Sequence, residues 1–463
     1  MSAAAPSNIA SQKDPSTSMS EILSVVKRFW GFDSLRPLQA EAIQAGIDHR
    51  DSLVVMPTGG GKSLCYQVPP VIAGRMDVVV SPLISLMKDQ IDGLRACGYR
   101  AVAMNSGMSI DDRRRAFDDA LNGDVHLLFV APERLMIESF LDSLSRLNVR
   151  SFAIDEAHCI SHWGHDFRPE YRRLAELKRR FPTASFHAYT ATATERVRED
   201  IVQQLHLVNP TVLVGDFDRP NLTYRIIPRT DVYDQTVEVI QRHPDEAVIV
   251  YCISRRDTEE MASHINSKGI KAVFYHAGMS PDARRRAQEK FSREEINVVV
   301  ATVAFGMGID RSNVRCVIHA AMPKSIEHYQ QETGRAGRDG LDAECVMLYS
   351  PGDVVKWSRI LSGGDSGESK GNIQAQLELL NQLQAYCQPF DCRHRRLVEY
   401  FGQAYEGSNC NACDFCLNET GDMVDVTVEA QKILSCVART EQKFGPKHIA
   451  DVLKGGDTEI IQK

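Results

Sequence analysis

The sequence predicts an α/β protein of two successive parallel-sheet lobes, followed by a helical module built around a metal ion. Three observations carry this. Short apolar runs alternate with helical patterns over residues 21–352, the rhythm of a mainly parallel sheet. The pattern restarts around Val212 to Tyr224. Four cysteines then gather at Cys392, Cys410, Cys413 and Cys416.

A chain of 463 residues implies two to four domains. Its 43% hydrophobic and 25% charged content are ordinary for a globular protein. No run approaches the roughly 18 apolar residues of a spanning helix, so no membrane partner is expected. The first 20 residues are Ser/Ala/Pro-rich without an apolar block, which reads as a disordered tail rather than a signal peptide. An intracellular protein is expected: cytoplasmic or nucleoid-associated in a bacterium, nuclear in a eukaryote. The net charge of −7 argues weakly against nucleic acid, but a local basic groove outweighs a bulk average. Most of the twelve cysteines stand alone in apolar runs, where a reducing compartment makes them small core residues.

In chain order, Ser18-Met19-Ser20-Glu21 is a capping box, and Ile22, Val25, Val26 and Phe29 line one face of the helix behind it. Pro37 suits a helix first turn and leaves Gln39 exposed beside it. A Gln amide both donates and accepts, as an adenine edge requires, and it equally suits a solvated surface. Ser52-Leu53-Val54-Val55 is a buried strand. Pro57-Thr58-Gly59-Gly60-Gly61-Lys62-Ser63 follows it and leads into a helix. That order cradles phosphate: glycines let backbone N–H groups turn inward, and the helix N-terminus adds its dipole. Lys62 would reach the β/γ-phosphates and Ser63 would ligate Mg²⁺. The strict pattern wants glycine where Met56 stands.

Further strands are expected at 76–80, 124–130, 150–154 and 185–188, each followed by a polar motif at its C-terminal end, where open α/β sheets bind ligands. Asp155-Glu156-Ala157-His158 is one such motif. Asp155 can hold Mg²⁺ through water, Glu156 can orient and deprotonate an attacking water, and His158 can couple that site to the next lobe. Next come Ser161, Trp163, Phe167 and Arg168. Aromatics with a cation suit unpaired bases, and they equally suit an aromatic mini-core. Phe217-Asp218-Arg219-Pro220-Asn221 reads as a hinge. The second lobe has strands at 247–252, 271–275, 297–301, 314–320 and 344–349. It has no phosphate loop. It carries Thr302–Asp310 and Gln330-Gln331-Glu332-Thr333-Gly334-Arg335-Ala336-Gly337-Arg338 instead. Arg335 and Arg338 can enter a cleft as an arginine finger, or lie on a solvated face.

Residues 363–371 read as a flexible linker and Ile373–Cys387 as a helix. Cys410, Cys413 and Cys416 are separated by two residues each, a spacing that brings thiolates onto one ion. A fourth thiolate closes a tetrahedral Zn²⁺ site. Cys416 lacks the following Cys-Pro of a ferredoxin run, which makes an iron–sulfur cluster the lesser option. Cys387 rivals Cys392 as the fourth ligand. Arg393, Arg395 and Arg396 make their helix a candidate duplex contact. Ala430, Ile433, Leu434 and Val437 suggest amphipathic helices after Val424.

These motifs in this order resemble superfamily 2 helicases. The aromatic loop after Asp155–His158, with Gln39 upstream and the cysteines downstream, is similar to the RecQ family of DNA helicases across about residues 20–450. The resemblance implies two RecA-like lobes with ATP between them and 3′→5′ DNA unwinding driven by ATP hydrolysis, in DNA repair and recombination. It implies Arg36 and Gln39 at adenine, Thr58–Ser63 on phosphate and Mg²⁺, Asp310 near ribose and Gln331 at the interlobe cleft. Arg338 would be the finger, with Arg335 beside it. Ser161, Trp163, Phe167 and Arg168 would couple single-stranded DNA to hydrolysis, and Thr190 and Thr192 would link the two states. The Met56 form of the loop belongs to helicases, and Cys392 is favoured over Cys387.

The implied domains are a tail at 1–20, the ATP-binding lobe at 21–212, the second lobe at 213–352, a helical zinc-binding module at 353–422 and the start of a winged helix at 423–463. The chain stops at Lys463, before the family's wing and strand-separating hairpin, so a truncated or unusually short member is expected. Expected partners are single-stranded and partial-duplex DNA, with single-strand-binding and repair proteins. The rival readings are an RNA helicase of the same superfamily and a non-catalytic DNA-binding scaffold.

Overall fold

The computed structural model describes residues 17–104, 108–147, 149–164, 166–302, 311–363, 370–421 and 425–456. Asp310 lies outside the described residues, as does most of the expected linker. The chain forms two compact units, Met1–Leu417 and Asn418–Lys463.

The first unit holds two sheets. One contains β1 (Ser52–Val55), β2 (Asp77–Val80), β3 (Ala101–Met104), β4 (Leu127–Val130), β5 (Ser151–Ile154), β6 (Ser185–Thr190) and β7 (Thr211–Val214), in the order β3-β4-β2-β5-β6-β1-β7. The other contains β8 (Leu222–Pro228), β9 (Ala247–Tyr251), β10 (Ala272–Tyr275), β11 (Val298–Ala301), β12 (Val314–His319) and β13 (Ala343–Tyr349), in the order β10-β11-β9-β12-β13-β8. The strand pairs of both sheets are parallel. β1, β2, β4 and β5 are buried along their whole length. Helices cover both faces of such a sheet, which is why these strands read as unbroken apolar runs.

Three strands escape the sequence reading. β3 is Ala-Val-Ala-Met, poor in β-branched residues. β7 is a half-exposed edge strand paired with β1. It keeps the first sheet going to Val214, across the boundary expected at 212/213. β8 is the far edge of the second sheet and mixes apolar with polar residues, yet it pairs with β13 from Leu222 to Pro228. The segment 215–221 is therefore the connector between the sheets, where the hinge was expected.

Register brings the motifs together. Val55 lies opposite Thr190 and Ile154 opposite Ala188. The loop after β1, the turn after β5 and the end of β6 thus emerge side by side. The Met56 amide donates to the Thr190 carbonyl (3.0 Å) and the Asp155 amide to the Val80 carbonyl (2.9 Å).

The capping box at Ser18 and Glu21 forms as expected, and Gly31 ends that helix in the left-handed conformation. Pro37, however, lies ahead of its helix, which spans Gln39–Ile47 after a left-handed Leu38. The second compact unit contains helices Thr427–Arg439 and Pro446–Leu453. The expected apolar face is not buried: Ala430, Ile433 and Leu434 are exposed, and Cys436 is the buried residue of the first helix.

Candidate active site and metal centre

The phosphate loop joins β1 to the helix Lys62–Ile72, whose N-cap is Gly61. Gly59 and Gly61 have φ of +84° and +81°, a region that suits residues without a Cβ. Space forbids one as well. A Cβ at Gly61 would stand 2.3 Å from Gln39 Nε2, and one at Gly59 3.3 Å from Arg338 Cγ. Lys62 Nζ donates to the Met56 carbonyl (2.9 Å). Beneath the loop, burial pushes the Cys65 thiol up to about 12.

Gln39 is only 3% exposed, contrary to expectation. Its Oε1 accepts from the Arg36 amide (2.7 Å) and its Nε2 donates to the Gly61 carbonyl (3.0 Å). Arg36 in turn donates to the Gly59 carbonyl. Both residues are wired to the phosphate loop.

Asp155 and Glu156 lie at the end of β5. Glu156 is left-handed (φ +49°), a strained conformation for a non-glycine residue and one that clusters at functional sites. Burial, then the neighbouring Glu156 charge, pushes the Asp155 carboxyl up to about 7. Burial likewise raises Glu156, while Lys62 and Arg335 oppose the rise. Lys62 itself is lowered by burial and held up by the two carboxylates. Gln90 hydrogen-bonds the Asp155 carboxylate and accepts from the Tyr66 hydroxyl (2.9 Å), while the Tyr171 hydroxyl donates to the Asp155 carbonyl (3.0 Å). The sequence reading missed Gln90 and Tyr66, and placed Tyr171 only at the end of the aromatic loop.

His158 is buried and its pKa is depressed to about 4 by burial, so the ring is neutral. Its Nδ1 lies 2.9 Å from Thr190 Oγ1, which donates to the Thr192 carbonyl (3.2 Å). His158 Nδ1 is therefore the donor to Thr190. The same nitrogen is 3.4 Å from Glu156 Oε2, which has no hydrogen-bond partner among the described residues.

The second lobe closes on this site. A Cβ at Gly334 would be 3.1 Å from Thr58 Cβ. Arg335 is buried, hydrogen-bonds Tyr251, and leaves its Nε without a hydrogen-bond partner among the described residues. Arg338 packs on Gly59. Both arginines enter the cleft, so the solvated-face option is excluded. Gln331 is half-buried on the helix Ile326–Thr333 that precedes them. The neighbouring Gln330 is the buried one, and its Nε2 donates to the Phe217 carbonyl (3.2 Å). Arg219, from the hinge, donates to the carbonyls of Thr58 (3.4 Å), Ala336 (3.1 Å) and Gly337 (2.9 Å).

The aromatic loop lies directly against His158: a Cβ at Gly164 would be 2.4 Å from the His158 carbonyl oxygen. Trp163 is 37% exposed, with the Arg196 guanidinium 3.1 Å from its ring centroid. Phe167 packs on His162 (3.8 Å), and Arg168 donates to Asp166 and to the Pro82 carbonyl. Ser161, Thr190 and Thr192 are buried. They offer no surface to a polynucleotide in this conformation. The coupling role that the resemblance implies for the loop predicts that Trp163→Ala folds normally and loses most stimulation of ATP hydrolysis by single-stranded DNA. Turnover with and without DNA checks it; unchanged stimulation would return the loop to packing.

The sulfurs of Cys392, Cys410, Cys413 and Cys416 lie within 4.8 Å of one another. A tetrahedral zinc with Zn–S bonds of about 2.3 Å needs sulfurs roughly 3.8 Å apart, so the donor set fits zinc. Hydrogen bonding with Cys392 holds the Cys413 thiol below its ordinary value. Cys387 stands apart, its sulfur 3.6 Å from that of Met347. A second cluster, His243, Cys316 and Glu344, is already neutralised by Arg225 and Arg242 on Glu344.

Of the arginines after Cys392, Arg393 is withdrawn from any duplex contact by burial, while Arg395 and Arg396 stay half-exposed. Arg393 is 1% exposed, paired with Asp414 (2.8 Å) and bonded to the carbonyls of Tyr386 and Gln388. Arg395 is held by Asp391 and the Gly407 carbonyl, and Arg396 by carbonyls at the end of the helix Lys370–Tyr386. Charge spacing reads as a basic face, but buried acceptors consume its first member, Arg393. Arg393→Ala strands a buried Asp414 and should cost roughly 3–5 kcal/mol, measured by denaturant unfolding.

Family models match in succession: DEAD/DEAH box helicase over residues 36–201, helicase conserved C-terminal domain over 231–340, RecQ zinc-binding over 351–417 and RQC domain over 420–463. ATP-dependent DNA helicase RecQ of Haemophilus influenzae is 43% identical over 439 residues, covering 95% of this chain and 70% of the relative. The Bacillus subtilis protein of the same name is 40% identical over 440 residues, covering 95% and 74%. Among solved structures, DUF1998 helicase MrfA bound to DNA superposes with a TM-score of 0.61 at 19% identity, over 83% of this chain and 59% of that one. DEAD-box helicase Mss116 bound to single-stranded RNA and UDP-BeF gives 0.60 at 17% identity, over 77% and 79%. At those identities the likeness shows the fold.

Proposed function

The chain belongs to the RecQ family and is an ATP-dependent DNA helicase of two RecA-like lobes, and from that premise we propose that it moves 3′→5′ along single-stranded DNA and opens duplexes ahead of it. It uses ATP and Mg²⁺ in the lobe cleft and Zn²⁺ in the cysteine module. The RNA-helicase alternative is not favoured, since these relatives are DNA helicases. We assign the ATP-binding lobe to residues 21–214 and the second lobe to 222–352, with the zinc module after it and a winged-helix segment from 423.

One observation carries the site assignment. Glu156 Oε2 and Arg335 Nε come from different lobes, are electrostatically coupled, and each lacks a hydrogen-bond partner among the described residues. A buried acceptor and a buried donor left unmatched beside a phosphate loop suit a water and a phosphate oxygen. In this reading Gly59–Gly61 and Lys62 hold the phosphates, and Ser63 and Asp155 hold Mg²⁺. The ion, when bound, neutralises phosphate charge. Glu156 takes the proton of the attacking water. Arg335 and Arg338 stabilise charge on the transferring phosphoryl group. Arg36 and Gln39 flank the nucleotide base, and Asp310 and Gln331 complete the cleft. His158, hydrogen-bonded to Thr190 and packed under the aromatic loop, passes the state of Trp163, Phe167 and Arg168 to Glu156.

The natural setting is DNA repair and recombination, wherever the cell keeps its DNA. No helix among the described residues is long and apolar enough to cross a membrane. The test is ATP turnover with single-stranded DNA against RNA, then unwinding of partial duplexes with 3′ or 5′ tails. DNA-selective stimulation and 3′-tail dependence are expected; preference for RNA or a 5′ tail would overturn the reading.

A further inference from the structure

The zinc module sits on the hinge. Gln403 Oε1 accepts from the Phe217 amide (3.0 Å), and its Nε2 donates to the Gly215 carbonyl (3.0 Å). One amide side chain thus holds opposite backbone groups on both sides of residue 216. Phe401 stacks on Phe217, with ring centroids 4.3 Å apart and planes at 13°. His394 lies 2.6 Å from the Asp218 carboxylate and 3.0 Å from the Leu222 carbonyl. The Tyr224 amide donates to the Ala412 carbonyl, and the Ile226 amide to Asp414.

The same module grips each lobe. Arg198 of the first lobe donates to the Phe401 carbonyl (3.1 Å). Tyr400 donates to Glu327 (2.5 Å), on the helix that runs into Gly334–Arg338. Arg219, inside the braced hinge, bonds the Thr58 carbonyl of the phosphate loop and the Ala336 and Gly337 carbonyls of the arginine loop. Fixing the hinge therefore fixes the approach of both catalytic loops. Hinges of closing enzymes absorb their motion in a few backbone torsions, so a side chain that holds those torsions sets the closed geometry.

We propose that the zinc module braces the interlobe hinge and that Gln403 is a positioning residue for ATP hydrolysis. This rests on the motor reading above. Gln403 is half-buried and its side chain bonds Gly215 and Phe217 rather than residues of the module, so its loss removes no side-chain hydrogen bond within the module.

The test uses the full chain with Gln403→Ala and Gln403→Glu. Gln403→Ala should lower DNA-stimulated kcat about tenfold, because small misplacements of reacting groups are costly. KM for ATP, bound zinc and affinity for single-stranded DNA should each stay within about twofold. Gln403→Glu keeps the acceptor for Phe217 and loses the donor to Gly215, so it should fall in between. A Gln403→Ala kcat within about twofold of wild type overturns the brace. So does a loss that parallels loss of zinc or of DNA affinity. A wild-type chain without DNA-stimulated turnover overturns the motor reading itself.

Discussion

Lys62→Ala is expected to reduce DNA-stimulated ATP turnover by about a hundredfold or more, the effect of deleting a group that stabilises transition-state charge in a buried site. Two losses combine. The ammonium is the phosphate partner, and it is also a counter-charge that lowers both Asp155 and Glu156 against the burial that raises them. Without it the two carboxyls hold their protons to higher pH. One then holds a metal poorly and the other makes a poor base. The variant should still fold, because Lys62 is half-buried and its single recorded hydrogen bond is to the Met56 carbonyl. Steady-state turnover at saturating ATP and single-stranded DNA measures the loss. Wild-type turnover in the variant would sink the site assignment.

Cys413→Ala is expected to release zinc and unfold the module. Structural zinc contributes apparent binding free energies of about 10–16 kcal/mol in small zinc-dependent folds, far beyond a typical domain's margin. Cys413 is fully buried and pairs through its backbone with Tyr224, so the damage reaches the hinge. Cys387→Ala is the control: that thiol is buried against Met347 and lies outside the cluster. Metal content after gel filtration decides, and full zinc in Cys413→Ala would refute the ligand set.

Much of this was legible because the chemistry lies in contiguous residues. Pro57–Ser63 and Asp155–His158 each carry their function within one turn after a strand, and parallel register then brings them together. The cysteine ligands were legible from spacing. What stayed hidden depends on pairs distant in sequence. Arg393 reads as surface charge until Asp414, 21 residues on, is seen to hold it. Gln90 looks like an ordinary polar residue on an amphipathic helix, and Arg196 like one charge among several at a helix start. Gln39 promised an exposed amide because proline suggested a first turn; the left-handed Leu38 moves that start and buries it. The apolar run of β7, Thr-Val-Leu-Val, was absorbed into the restart of the pattern at Val212, and β8 was lost to mixed polarity, and with them the position of the hinge. Asp310 lies outside the described residues, and its role stays with the proposal.

The distribution of thiols has a practical consequence. All twelve cysteines are unpaired, and nine are buried. Cys410 and Cys416, which are half-exposed, belong to the metal cluster, so Cys97 is the one accessible thiol outside it. It caps the helix Ile84–Ala96, where its thiol donates to the Leu94 carbonyl (3.0 Å). A maleimide dye added to the zinc-loaded protein would attach there without engineering, a ready-made handle for tethering or watching single molecules at work.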